Sequence, residues 1–473
     1  MGLRIALVES GTPSTHIFSR TYLPRVGIPT MGAVLKQRGH ACDIFFEALS
    51  PVNADDLRAY DVVGIGSLTS TIEPAYRLAD SLRESRTTVV MGGPHATFMP
   101  REALDHCDYV VMGEGEDALA SLIDSIEKGE DPEAVGGLAF LHADGALRIT
   151  ESSGHVDFAG LPSPDFSLCP QMTSESIPPI ITTSRGCPHK CTFCTVTAIF
   201  GRRYRFKSNE QVISELRPLL HRSVCFGDDN FCADPKRAKS LLREMIDRDA
   251  VPLRWSGEMA IMAALDDELL DLMRKTRCRT VYVGVESIDD AALKRMGKAH
   301  QAQVIPRCID KLHCHGIGIH GMFVTGPDDM LDSIGKIVDY AIEADIDTIQ
   351  ICALTPFPGT QSHEDYRDRI LHQCWRYYDG MHVVVRPATC SAYEMQVEIV
   401  NQMKRFYSVK NLLDAYRPGR AWRIGYRLGG YMLIRKWARE NAGYIDRLKT
   451  GYYHQGRQGA SVSPKSAAAP AIS

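Results

Sequence analysis

The chain has 473 residues, 44% of them apolar and 24% charged, with a formal net charge of −4. That is about three average domains with ample apolar content for large cores, which excludes a disordered tail, a collagen-like chain and a disulfide-stapled miniature. No apolar run reaches the roughly 18 residues of a membrane-spanning helix, and the slightly acidic balance disfavours a protein made chiefly to hold nucleic acid by its backbone.

In chain order, residues 2–9 read as a buried parallel strand rather than a signal peptide, so secretion is not expected. A helix follows over 28–39, then strands over 42–46 and 60–66, a helix over 74–85 and a strand over 88–92. A last strand over 109–112 precedes Gly113-Glu114-Gly115-Glu116 and a helix through Ile126. This alternation predicts an open parallel α/β sheet over residues 1–150. Ligands of such sheets bind outside the carboxyl ends of the strands, where Ser67-Leu68-Thr69, Gly92-Gly93-Pro94-His95 and Gly113-Glu114-Gly115 fall. Residues 151–178, rich in Ser, Pro and Gly, read as a linker.

A second α/β series begins at Ile180, with strands over 180–184, 223–227, 254–257, 280–285, 318–324 and 348–353. Six βα units over 179–360 suit an incomplete barrel, although pattern alone equally allows a second open sheet. Residues 361–455 turn helical, most clearly over 392–407 and 426–441, and 456–473 read as a disordered tail. Residues 401–457 hold 13 Lys/Arg against Asp414, Glu440 and Asp446, a local +10 that leaves −14 elsewhere.

Eleven of the 14 cysteines are scattered, as small core residues are in a reducing compartment. The other three form Cys187-Pro188-His189-Lys190-Cys191-Thr192-Phe193-Cys194, directly after a predicted strand, so that they wrap one point in space. Three thiolates can hold three irons of a [4Fe–4S] cube and leave the fourth iron open to a ligand. A Cys₃His zinc site with His189, or a redox or structural role, is the alternative on spacing alone.

The Cys187/Cys191/Cys194 spacing, with Phe193 before the last cysteine, resembles the signature of radical S-adenosylmethionine (SAM) enzymes. The resemblance implies an open iron chelated by SAM and a 5′-deoxyadenosyl radical formed inside a barrel away from water. Five segments then take family roles in order. Phe226-Gly227-Asp228-Asp229-Asn230 implies Asp228 or Asp229 at the SAM amino group, Ser256-Gly257-Glu258 places Glu258 near ribose or carboxylate, and Gly284-Val285-Glu286-Ser287 brings Glu286 and Ser287 to the same cofactor. The turns 321–327 and 354–360 match the fifth and sixth strand ends.

The first piece resembles the cobalamin-binding domain found ahead of many such barrels, through Pro24-Arg25-x-Gly27, Arg38-Gly39-His40, Gly92-Gly93-Pro94-His95 and Gly113-Glu114-Gly115-Glu116. It implies cobalamin contacts from Ser67, Gly92, Gly93, His95, Gly113 and Gly115. The Asp-x-His-x-x-Gly motif that ligates cobalt from below in mutases is absent, and His16 lacks its neighbours. His40 and His95 each have the plainer option of satisfying a backbone carbonyl.

The fold implied is a Rossmann-like cobalamin-binding sheet, a partial (β/α)6 radical SAM barrel and a mainly helical C-terminal region. The implied cofactors are a [4Fe–4S] cluster, SAM and cobalamin. The implied activity is methylation of an unactivated carbon of a small-molecule or lipid-like substrate, through the adenosyl radical and methylcobalamin. A radical cyclase or rearrangement enzyme, and a non-catalytic cobalamin carrier or sensor, are the alternatives, the last countered by the intact cysteine triplet. Methylthiotransferases need a cysteine set in the first domain, where only Cys42 and Cys107 occur. A reducing partner such as flavodoxin or ferredoxin is implied, in the cytoplasm. Residues 416–440 interleave arginines with aromatics, a pattern suited to peripheral contact with an anionic membrane, to nucleic acid, or to packing of the final helices.

Overall fold

The computed structural model describes residues 2–12, 15, 23–83, 85–152, 154–170, 172, 179–415 and 420–451. His16, Tyr22, Tyr416, Arg417, residues 173–178 and the tail 456–473 lie outside the described residues.

Seven strands build the first sheet: β1 (Arg4–Glu9), β2 (Ala41–Phe46), β3 (Val62–Gly66), β4 (Thr88–Gly92), β5 (Tyr109–Val111), β6 (Leu138–Leu141) and β7 (Leu147–Ile149). Their order is β2-β1-β3-β4-β5-β6-β7. The first five run parallel, as the continuous apolar runs predict; the inner strands β1, β3 and β4 are buried on both faces, while β2 at the edge alternates buried and half-buried residues. One face packs on helices Gly27–Gln37 and Gly115–Lys128 through Ile28, Val34, Leu35, Leu119 and Ile123, the other on Ile72–Leu82 through Ile72, Ala75 and Ala79. The purely parallel sheet expected from the sequence is corrected at one edge. β6 and β7 add antiparallel, joined by a turn through Asp144 and Gly145, the latter at φ +78°. The Asp-Gly pair was the local signal for that hairpin.

The second sheet is a six-stranded partial barrel in the order β15-β14-β13-β12-β11-β8. It comprises β8 (Ile180–Ile181), β11 (Ser223–Phe226), β12 (Arg254–Met259), β13 (Cys278–Glu286), β14 (Gly318–Thr325) and β15 (Thr348–Ala353), all parallel. Between the first two, β9 (Ser184–Arg185) and β10 (Arg205–Phe206) pair antiparallel and tie the base of the loop between them. Helices cover the outside, and their starts follow capping chemistry. The Asp234 carboxylate accepts from Lys236 and Arg237 N–H with Pro235 at the first helical position, and Asp266 accepts from Leu269 N–H.

Beyond the barrel, helices Ala392–Phe406, Trp422–Glu440 and Ala442–Thr450 join the barrel core through Met395, Ile399, Ile434, Trp437 and Tyr444. The preceding stretch behaves differently. Ile370, Trp375, Tyr378, Val384 and Val385 pack into the core of the first sheet. Among the described residues, no helix is long and apolar enough to cross a membrane.

Candidate functional site

The cysteine loop leaves β9 at Gly186, whose φ is +87°, and a Cβ there would stand 2.1 Å from the Arg203 carbonyl oxygen. Only glycine permits that turn, and it brings Cys187, Cys191 and Cys194 out as free, half-buried thiols. Burial raises all three thiols, Cys194 to about 11. Cys191 is electrostatically close to both of the others, and the Asn230 amide stands 4.0 Å from Cys187 Sγ. Among the described residues, no three His, Cys, Asp or Glu side chains stand close enough together to grip a single metal ion.

The two aspartates after β11 do different work. Asp228 is buried and accepts from Thr183 N–H (2.7 Å), Thr183 Oγ1 (2.9 Å), Ser184 Oγ (2.9 Å) and Ser184 N–H, so it braces the strand that leads into the loop. Arg237 closes the same network through Thr183 Oγ1 at 2.7 Å. Both oxygens of Asp228 are engaged within the protein, and it does not line the cleft. Asp229 accepts from Gly186 N–H at 3.0 Å and lines the open cleft, and burial lifts its carboxyl to about 6.

Glu258 faces the open interior of the barrel. Enclosure by protein walls, followed by the charges of Asp229 and Glu286, raises its carboxyl to about 8. Glu286 ends β13 with φ +62°, a left-handed conformation that a glutamate adopts only under constraint, and it meets Lys298 Nζ at 2.7 Å. Ser287 is buried and its Oγ accepts from Asp289 N–H. The structure thus gathers Asp229, Glu258 and Glu286 beside the cysteine loop. Lys298, which the sequence reading missed, sits among them with its Nζ 5.9 Å from the Phe193 ring centroid. Burial opposes its charge, but Glu286 and Cys191 hold the ammonium above its ordinary value. The only local signal was Gly297, at φ +72°, which turns the chain back after the preceding helix.

Across from the loop, the carboxyl ends of β3, β4 and β5 form the opposite wall of a cleft of about 550 Å³. Ser67, Gly92, Gly93, Gly113 and Gly115 line it, facing Ser184, Thr195 and Asp229. Gly93 has φ +97°, and a Cβ there would lie 2.2 Å from the Ser67 carbonyl oxygen. Ser67 Oγ is buried with no hydrogen-bond partner, an unmet polar group in the wall of the cleft. His95 is corrected. It is fully buried on the far side of its short helix, 3.4 Å from Glu102 and edge-on to Trp375, and does not line the cleft. His40 likewise turns inward, its Nδ1 accepting from Leu3 N–H at 3.2 Å.

Glu114 and Glu116, which the sequence placed in a cofactor turn, carry an unforeseen task. Glu114 accepts from Arg185 (2.7 Å) and Arg205 (2.8 Å) and meets His155 at 3.1 Å, while Glu116 meets Arg185 at 2.6 Å. The first sheet is thereby clamped to the residues that flank the cysteine loop. The residues present fit three groups: free thiols for a cluster, carboxylates and an ammonium for an amino-acid cofactor, and a glycine floor with an unpartnered hydroxyl for a large planar one.

Comparison with known proteins agrees with this division. Residues 181–341 match the Radical SAM superfamily and residues 19–123 the B12 binding domain. An uncharacterized methyltransferase of Pyrococcus horikoshii is 31% identical over 69% of this chain and 74% of its own length. The bacteriochlorophyllide d C-12(1)-methyltransferase of Chlorobaculum tepidum is 28% identical over 74% of this chain and 76% of its own. Among solved structures, the cobalamin-dependent SAM radical enzyme OxsB, with aqua-cobalamin and SAM bound, superposes with a TM-score of 0.72 at 14% identity, covering 92% of this chain and 71% of that one.

Proposed function

Because the chain belongs to the radical SAM superfamily and carries a B12-binding domain ahead of its barrel, we propose that it is a cobalamin-dependent methyltransferase acting on an unactivated carbon of a small-molecule or lipid-like substrate. The observation that carries this reading is the single cleft walled on one side by the glycine turns of the first sheet and on the other by the cysteine-loop strand and Asp229. Cys187, Cys191 and Cys194 would hold a [4Fe–4S] cluster with one iron open. Asp229, Glu258, Glu286 and Ser287 would face the polar ends of SAM, and Ser67 with Gly92, Gly93, Gly113 and Gly115 would receive cobalamin. When bound, these groups supply reductive cleavage of a sulfonium and a transferable methyl group.

The chain's own part is positional. Asp228 and Arg237 fix the strand before the loop, and the Glu114–Arg185 clamp holds the two cleft walls together. Lys190, Arg202 and Lys294 surround a shallow basic depression beside the loop, suited to a small acidic electron carrier of the flavodoxin or ferredoxin type. Tyr426, Leu428 and Met432 stay exposed on the Trp422–Glu440 helix and leave a surface for peripheral membrane contact. The test is anaerobic reconstitution of the full chain. One cluster by iron and sulfide count, a cobalamin visible spectrum, and SAM cleavage on reduction are expected, and Cys191→Ala should lose cluster and cleavage together. Cleavage by an iron-free preparation defeats the assignment.

A further inference from the structure

The barrel encloses a second cavity of about 550 Å³ that the roles above leave unused. It runs between the inner faces of β11 to β15 and the Trp422–Glu440 helix, and its size falls in the roughly 300–1,000 Å³ range of drug-sized ligand sites. Its chemistry is uneven from end to end. Near the cleft stands Cys225, which lines both spaces, so the cavity and the cleft meet there. The middle is built from Tyr282, Met381, Met403 and Leu433, with few polar groups. Among the polar ones, His320 meets Thr348 Oγ1 at 2.8 Å and Gln350 Oε1 at 3.3 Å, while the buried Thr280 Oγ1 has no hydrogen-bond partner. Burial pushes His320 down to about 4, so this wall is uncharged near neutrality.

At the far mouth, where the strands begin, stand Arg254 and Arg279. Arg254 is exposed, and Arg279 lies half-buried with its guanidinium 4.5 Å from the Trp422 ring centroid. Among the described residues neither has a carboxylate within ion-pair distance. Asp347, the acid whose charge Arg279 feels, is engaged by Arg423 at 2.9 Å and Arg420 at 3.9 Å. Two like charges at the end of an apolar cavity repel each other, and an arriving anion would offset that repulsion with bidentate hydrogen bonds. Arg254 and Glu258 lie four steps apart along β12, about 13 Å at ~3.3 Å per residue.

Resting on the methyltransferase reading, we propose that this cavity binds the substrate, an amphiphilic anion. Its carboxylate or phosphate sits between Arg254 and Arg279, and its apolar body runs up the barrel. A carbon roughly ten ångströms or more from the acid group is thereby presented to the cleft beside Cys225. The chain selects against uncharged lipids at the mouth and against short acids by reach.

Titration of the full-length protein by calorimetry, with hexadecanoate, hexadecyl phosphate and hexadecanol, tests this. At least one of the two anions should bind at least tenfold more tightly than the alcohol, and the stronger one tells carboxylate from phosphate recognition. Arg279→Gln and Arg254→Gln should each weaken the anion at least fivefold and leave hexadecanol unchanged. Ser256→Trp, which fills the cavity without touching its charge, should abolish both modes and guards against a misfolded arginine variant. Equal affinity for acid and alcohol, indifference to both arginine changes, or failure of both anions to bind overturns the proposal. The titration needs neither iron nor SAM, so its failure and the failure of the radical assignment show separately.

Discussion

His320 is held neutral by its surroundings, and the consequence is measurable. Enclosure of the ring by the barrel brings its protonation down to about 4 from an ordinary value near 6.5, against the hydrogen bond to Gln350, which pulls the other way. Between those values the unfolded chain binds a proton that the folded one does not. Stability is therefore complete above pH 6.5 and declines as the pH falls toward 4, by about 3 kcal/mol at most. His320→Gln should shrink the drop in melting temperature between pH 7.5 and pH 5, and an unchanged drop would show that the ring is protonated in the fold. At this scale the sequence was legible where chemistry is local. Cys187, Cys191 and Cys194 lie within eight positions, so their spacing alone fixed their neighbourhood. It was illegible where direction matters. Asp228 and Asp229 are adjacent, yet one bonds Thr183 and Ser184 inside the core and the other opens on the cleft. His95 needed the orientation of its helix, which no periodicity over five residues can supply.

The Trp422–Glu440 helix shows the same limit over a whole element. Its interleaved arginines and aromatics had three readings as a pattern, and the fold divides the residues among different tasks. Arg423 is fully buried against Asp345 and Asp347, and Arg427 donates to the carbonyl oxygens of Ile346, Asp347 and Asn411. Trp422 and Tyr426 line the barrel cavity, and Trp437 enters the core. The helix was visible in the sequence through its run of long side chains, despite Gly425, Gly429 and Gly430. The destination of each arginine was not, because its partners lie on the turn before β15, some eighty positions earlier in the chain. Arg423→Ala leaves Asp347 buried beside a void and should cost about 3–5 kcal/mol. Arg423→Met, of similar length, should still lose the ion pair but recover part of the packing. Urea unfolding of the two variants separates charge from volume, and a loss below about 1 kcal/mol in Arg423→Ala would mean that Asp347 finds another partner.

Across the whole molecule, the alternating α/β series and the two-part layout were readable from hydrophobic runs and a Pro-rich break. The way the parts are joined was not, since every joint is a long-range contact. Trp375 Nε1 donates to Glu102 at 2.8 Å, which brings the chain back from beyond the barrel to the first sheet. The Glu114 carboxylate reaches Arg185 and Arg205 on either side of the cysteine loop. Glu114 is almost wholly buried and accepts four hydrogen-bonding partners, Val156 N–H included, so its negative charge is what holds two guanidiniums at one point. Glu114→Gln keeps the shape and removes that charge, leaving Arg185 with Glu116 and Arg205 without an anion. The loss should be a few kcal/mol, of order 3–5, and confined to the seam between the sheets. Hydrogen exchange should rise across residues 184–206 and 113–116, while the Asp267–Lys275 helix on the outer barrel keeps its protection. Uniform loss of protection would mean that the clamp supports global stability instead. No change at the seam would mean that the two walls of the cleft are held by apolar packing alone, and the cysteine loop would then owe its position to Asp228 and Gly186 rather than to the first sheet.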